Sequence, residues 1–166
     1  MARLCSGAGA LVLGGWGLTR FEAYPYEKPR AREESVALFA GSFNPLHRGH
    51  LAIIEHLAAK HRVLHVVIGH NRTKKYAVPP EARKQLCEEA CRAAGLTNVI
   101  VELTDDYIWR LGHAVGAAVL YRGIRTWAQD GLAERQLELL NLLGPPVLAL
   151  KSPLRTAYVQ ADPAYA

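Results

Sequence analysis

The sequence predicts an α/β protein, a Rossmann-like open parallel sheet of about five strands with flanking helices. Three observations point there. Short apolar or β-branched runs alternate with segments of helical period from Ser35 onward, and several of these runs close at a glycine. The loop after the first run is crowded with polar residues and glycine, in the place where ligands of such sheets bind.

The elements follow in order. Val36 to Ala40 is a short apolar strand ending at Gly41. Residues 50–60 place Leu51, Ile54 and Leu57 or Ala58 on one helical face. Val63 to Ile68 is a β-branched strand closed by Gly69. Pro79-Pro80-Glu81 opens the next helix, since proline is tolerated in a first turn and an acid there suits the helix dipole. Leu86, Cys87, Ala90, Ala93 and Ala94 line its inner face, and Gly95 stops it. Val99 to Val101 reads as a third strand, and Asp105 or Asp106 caps a helix carrying Ile108, Leu111 and Val115 that ends near Gly116. Ala117 to Tyr121 is a fourth strand. Gly131 to Leu143 is a periodic helix stopped by Gly144-Pro145-Pro146, and Thr156 to Gln160 is the last strand. Right-handed crossovers join the strands.

Composition bounds the function. With 166 residues the chain has room for one domain, and 50% hydrophobic residues against 21% charged provide a core, so a soluble globular protein is expected. Residues 1–35 read as an N-terminal extension or linker, with the domain over 36–166. Ser6 to Thr19 is uncharged, glycine-rich and too short to span a membrane, and no cleavage site closes it as a signal peptide. Twenty Lys and Arg against 15 Asp and Glu leave a net charge of +5, which favours an anionic partner. The basic clusters, Arg72 to Lys75 and Arg122 to Arg125, are short. They suit a phosphorylated small molecule rather than a nucleic acid. Three cysteines exclude a closed disulfide framework and point to a reducing compartment, the cytoplasm. Cys87 and Cys91 share a helix face, where core packing is a better reading than half a metal site.

Three loops after strands carry unusual residues. The first is Gly41-Ser42-Phe43-Asn44-Pro45-Leu46-His47-Arg48-Gly49-His50. Its glycines permit close backbone approach, Ser42 offers a hydroxyl and an amide, and His47 and His50 flank a helix start whose free N–H groups attract phosphate. No carboxylate or third ligand adjoins the two histidines, so phosphate contact is read in preference to a metal. The second loop contains Asn71-Arg72-Thr73-Lys74-Lys75. The third, Tyr121-Arg122-Gly123-Ile124-Arg125, presents two guanidinium forks suited to phosphate oxygens.

These segments carry a resemblance. His47-Arg48-Gly49-His50 resembles the HxGH signature of the nucleotidylyltransferase superfamily. The longer ten-residue loop is similar to the G-[ST]-F-D-P-x-[TH]-x-G-H opening of the bacterial-type phosphopantetheine adenylyltransferases. Asn71 to Lys75 matches that family's N-P-S-K-K, Tyr121 to Arg125 its V-R-G-L-R, and Glu134 to Asn141 its E-x-Q-L-A-x-M-N helix. The resemblance runs from about Val36 to Ala166.

It implies transfer of AMP from ATP to 4′-phosphopantetheine, giving dephospho-coenzyme A and pyrophosphate in coenzyme A biosynthesis, with Mg²⁺ accompanying ATP. It implies catalytic roles for His50, Lys74 and Arg122. Gly41, Ser42, Phe43, His47, His50, Gly123, Arg125 and Glu134 would bind the nucleotide. Ser42, Lys74, Asp106, Tyr107, Ile108 and Arg122 would bind the acceptor, with residues 104–109 in the pantetheine pocket. No protein metal ligand, nucleic acid or membrane is implied, and homo-oligomerisation stays open.

The chain also departs from the pattern. Asn44 replaces the usual Asp, Trp127 is large, one extra residue lies between Arg125 and Gln136, and residues 142–155 are longer than the family's connection. The family's closing I-S-S-[ST]-x-x-[RK] phosphate loop has no counterpart, so the domain reads as truncated there. A version extended through such a loop is expected to turn over faster. Two other readings stay open: another HxGH enzyme, such as a nicotinamide mononucleotide adenylyltransferase or a cytidylyltransferase, and a catalytically impaired nucleotide-binding paralogue.

Overall fold

A computed structural model describes residues 20–69, 75–125 and 127–165, without the side chains of 127–129 and 131–133. The elements are β1 (Arg20–Glu22), β2 (Glu33–Gly41), α1 (Arg48–Lys60), β3 (His61–Gly69), α2 (Pro80–Ala93), β4 (Val99–Thr104), α3 (Ile108–Ala114), β5 (Val119–Ile124), α4 (Trp127–Ala149), β6 (Thr156–Gln160) and a closing 3₁₀ turn, Pro163–Tyr165. One parallel sheet has the order β1-β6-β5-β2-β3-β4. From β2 the chain moves outward through β3 to β4, then returns beside β2 as β5. The order therefore reverses between β2 and β5, and a crevice opens at their carboxyl ends.

Burial follows the period of a strand. Phe39, Val66, Ile68 and Val101 pack with Ile54, Leu57, Cys87 and Cys91 of α1 and α2 on one face. Leu38, Ala40, Val67 and Leu120 meet Trp109 and Leu154 on the other. Alternate residues of β2 thus serve opposite layers, as in a sheet covered on both sides. The two cysteines are core residues, as their helical spacing suggested, and burial pushes the Cys87 thiol up to about 12.

Three details depart from the expectations. The sheet has six strands rather than about five. The additional strand, β1, is three residues long and carries no apolar run, so its sequence hides it. It pairs with β6 and is pinned by Glu22, which bonds both His56 and Lys60 of α1. Tyr26, just beyond, stacks on His56 at 4.5 Å and donates to Gln160 O at 2.7 Å.

Second, α4 does not stop at Gly144-Pro145-Pro146 but runs on to Ala149, with both prolines inside it. Pro145 has no N–H to give Asn141 O. Leu154 N–H takes that carbonyl at 3.3 Å, so the break costs no buried acceptor. Gly144 lies against the Trp109 indole, where a Cβ would come within 2.7 Å of Nε1. Third, α3 is capped by Tyr107 rather than by an aspartate, and Asp106 instead accepts the Tyr107 N–H at 2.7 Å.

Candidate active site

β2 ends at Gly41, on the crevice. An added Cβ there would meet the Phe43 ring at 3.1 Å, so the close packing of that ring favours glycine. Phe43 turns the chain with φ +45°, and its ring meets Phe39 edge-on at 5.5 Å and His50 at 5.0 Å. Ser42 is exposed between them.

The loop delivers the chain to α1 through His47, whose extended backbone (φ −140°) makes the N-cap without a side-chain cap bond. No acid lies in the first turn. The terminal N–H groups are therefore not quenched by a carboxylate, which is the arrangement that receives an anion. Gly49 is tight: a Cβ would stand 3.1 Å from the His47 ring and 3.1 Å from Tyr165.

The His47 and His50 rings stack at 3.7 Å with 31° between their planes. His50 Nδ1 is buried and has no hydrogen-bond partner among the described residues. Burial, with a smaller contribution from His47, lowers the His50 pKa to about 4. At neutral pH the ring is therefore an uncharged donor and acceptor, not a cation. Burial lowers the His47 pKa as well.

Across the crevice, Arg122 of β5 pairs in register with Ala40 of β2. Its Nη1 donates to Ala40 O at 2.7 Å, while Nε and Nη2 grip the two oxygens of Glu134 at 2.8 and 2.7 Å. A guanidinium has five N–H groups, so three are engaged and two remain for a ligand. Arg125 holds Asp130 through Nη2 at 2.7 Å, and its backbone N–H donates to the same carboxylate at 2.8 Å. Both forks thus rest on acids one turn apart on α4.

A model of the family described as Cytidylyltransferase-like matches residues 38–141. A phosphopantetheine adenylyltransferase from Finegoldia magna is 30% identical over 133 residues, covering 80% of this chain and 76% of that protein. One from Streptococcus agalactiae is 36% identical over 129 residues, covering 76% and 74%, and one from Bifidobacterium longum is 32% identical, covering 78% and 73%. The chain belongs to the cytidylyltransferase-like family, on its phosphopantetheine adenylyltransferase branch.

Within this cytidylyltransferase-like domain the expected site residues separate into groups. Gly41 ends β2, Ser42, Phe43 and His47 lie in the loop to α1, His50 stands in the first turn of α1, and Arg122 joins them across the β2–β5 seam. Gly123 is exposed, and a Cβ added there would meet Ile53 at 3.4 Å and Phe39 at 3.5 Å. Arg125 and Glu134 join this group through α4, Glu134 by way of Arg122. Asp106, Tyr107 and Ile108 stand beyond β4, on the same rim but at the edge of the sheet. There Asp106 accepts from Arg110 at 3.3 Å, Tyr107 stacks on Trp109 at 6.1 Å, and Ile108 packs into the core. Lys74 lies outside the described residues.

Arg83 was not anticipated. It is fully buried on α2, donates from Nη1 to Ser42 O at 2.5 Å and lies over the Tyr76 ring at 4.3 Å. Its signal was present in the sequence. Positions 83, 87 and 91 fall on one helical face, and the two cysteines place that face in the core.

Proposed function

We propose that the chain transfers the adenylyl group of ATP to 4′-phosphopantetheine. A phosphate oxygen of the acceptor forms a bond to the α-phosphorus as the bond from that phosphorus to the bridging oxygen breaks. The electron pair leaves with pyrophosphate, and dephospho-coenzyme A remains. The observation that carries this reading is the meeting of an uncapped helix N-terminus, a neutral, half-buried His50 and the two spare N–H groups of Arg122 at the β2–β5 switch point. The relatives named phosphopantetheine adenylyltransferase support the choice of acceptor.

Such a displacement needs alignment and charge stabilisation more than covalent help. The first-turn N–H groups of α1 and the backbone of Ser42 and Phe43 supply donors where charge spreads over the α-phosphate oxygens. Neutral His50 donates one hydrogen bond there without carrying a proton away. Arg122, steadied by Glu134 and Ala40 O, presents its remaining N–H groups to phosphate oxygens, and Lys74 is assigned to the same phosphates. Ser42 and Arg122 also face the acceptor phosphate, while Asp106, Tyr107 and Ile108 contact its pantetheine arm, for which the exposed Tyr107 ring offers a flat surface.

Among the described residues no group of three His, Cys, Asp or Glu side chains could hold a metal ion. Asp130 and Glu134, the acids nearest the arginines, are each taken by one. These residues therefore do not fit a protein-held Mg²⁺. We assign the ion to ATP as part of the substrate. No described helix is long and apolar enough to cross a membrane. With free, buried thiols, we place the reaction in the cytoplasm.

The test is pyrophosphate release from ATP with 4′-phosphopantetheine, nicotinamide mononucleotide and phosphocholine in parallel. Release with the first alone is expected. Release with another acceptor instead, or ATP binding without release from any, overturns the proposal.

A further inference from the structure

Gly41 to Pro45 carries the donors nearest α1, so what holds this turn in place bears on the reaction. The stretch leading into α2 grips it at two points. Val78 N–H donates to Asn44 Oδ1 at 3.0 Å, and Arg83 Nη1 donates to Ser42 O at 2.5 Å. Arg83 is fully buried in the first turn of α2, its backbone N–H bonded to Pro79 O at 3.0 Å and its guanidinium laid over Tyr76. A buried guanidinium is costly to desolvate, and here one of its N–H groups is given to a backbone carbonyl of the loop.

The orientation of that carbonyl has a consequence. Among the described residues the cis bonds precede Pro25 and Pro45, and the peptide from Ser42 to Phe43 is trans. In a trans peptide the C=O and the following N–H point in opposite directions. With Ser42 O turned onto Arg83, Phe43 N–H points the opposite way, away from the Arg83 guanidinium. Phe43 itself has φ +45°, a backbone state a bulky residue holds only when its surroundings enforce it. A flip of this one peptide would present a carbonyl oxygen where the site needs a donor.

We propose that Arg83 is a positioning residue for adenylyl transfer: by holding the Ser42 carbonyl it aims Phe43 N–H at a non-bridging oxygen of the α-phosphate. This rests on the adenylyltransferase reading above. It adds a residue on α2 that touches neither substrate and acts through the loop.

The test uses the full chain with Arg83→Met, which removes the donors, and Arg83→Lys, which keeps a cation able to reach the carbonyl. Steady-state rates are measured with ATP and with the two diastereomers of ATPαS, in which sulfur replaces one or the other non-bridging α-oxygen. Melting curves are recorded alongside. Loss of a donor of this kind costs about 10²-fold in kcat, so Arg83→Met should lose about that while KM for ATP changes by less than about threefold. The wild type should prefer one diastereomer, Arg83→Met should lose most of that preference, and Arg83→Lys should recover part of both effects. A folded Arg83→Met chain with its diastereomer preference intact overturns the proposal, whatever its rate. Failure of both variants to fold assigns Arg83 to stability and also overturns it. A wild type that releases no pyrophosphate refutes the adenylyltransferase reading, and this proposal with it, which separates the two failures.

Discussion

At the amino end of α1, the His47 and His50 rings stack on each other and His50 Nδ1 is buried with no partner among the described residues. At its carboxyl end, His61 is fully buried with both ring nitrogens engaged, Nδ1 at 2.7 Å from Ser35 Oγ and Nε2 at 3.0 Å from Tyr121 Oη. One turn earlier, His56 is bonded to Glu22 at 2.8 Å. The same helix therefore carries two kinds of histidine. Buried polar groups in a finished structure are normally satisfied. Those at the carboxyl end are complete and serve the fold, whereas at the amino end His50 Nδ1 has no partner among the described residues.

The sharpest way to break this contrast is a pair of substitutions. His50→Ala should cost about 10²- to 10³-fold in kcat, the scale of a lost transition-state donor, with little change in melting temperature. His61→Ala should do the reverse. It leaves the Ser35 and Tyr121 hydroxyls without their buried partner, at about 2–4 kcal/mol of stability, while activity per folded molecule stays near wild type. Pyrophosphate release and thermal melting, measured on both, check it. An unstable His50→Ala with normal turnover would erase the distinction between the two ends.

A second prediction sharpens the crevice side. Arg122 and Glu134 are both largely buried, with side-chain exposures of 19% and 11%. Glu134→Ala strands a buried guanidinium, for which about 3 kcal/mol of lost stability is expected, and kcat/KM should fall because Arg122 loses its aim. Chemical denaturation and steady-state kinetics read the two effects separately.

The smallest effect is the pH dependence of stability. His50 is held at about 4 against its ordinary 6.5, so between those values the unfolded chain binds the extra proton and stability falls as pH drops from about 6.5 to 4. At the other end, burial alone would raise the Glu22 pKa. The hydrogen bonds and charges of His56 and Lys60 outweigh it and bring the carboxyl from 4.5 to about 2. Its contribution is complete above 4.5 and is lost as pH falls toward 2. Acid titration of the melting temperature should show both stages. His50→Gln should weaken the upper, to which His47 and His61, also lowered by burial, contribute in the same direction, and Glu22→Gln should flatten the lower.

Much of this was legible in the sequence because it was local. Five strands and their helices announce themselves by period, and His47 and His50 declare their place by following a strand, whereas Arg122, read as a loop residue, lies inside β5, whose ladder with β6 carries the strand on to Ile124. What was not legible depends on distant partners. β1 exists because β6 offers an edge and α1 offers His56 and Lys60. α4 accommodates Pro145 because Leu154, thirteen residues beyond Asn141, takes the Asn141 carbonyl that Pro145 has no N–H to meet. The arginines looked like bare cations, whereas Asp130 and Glu134 stand one turn apart on α4 to receive them. Arg83 was readable only as part of a helix face shared with Cys87 and Cys91, and its bond to the Ser42 backbone oxygen leaves no trace in the sequence.

The clasp of α4 on the two forks also bears on how a nucleotide arrives. Each guanidinium is already neutralised by a carboxylate, so this pair adds little to the distant pull that a chain of net charge +5 exerts on polyanions. Encounter through these arginines is a matter of short-range fit, and their share of the capture rate should vary little between dilute and concentrated salt.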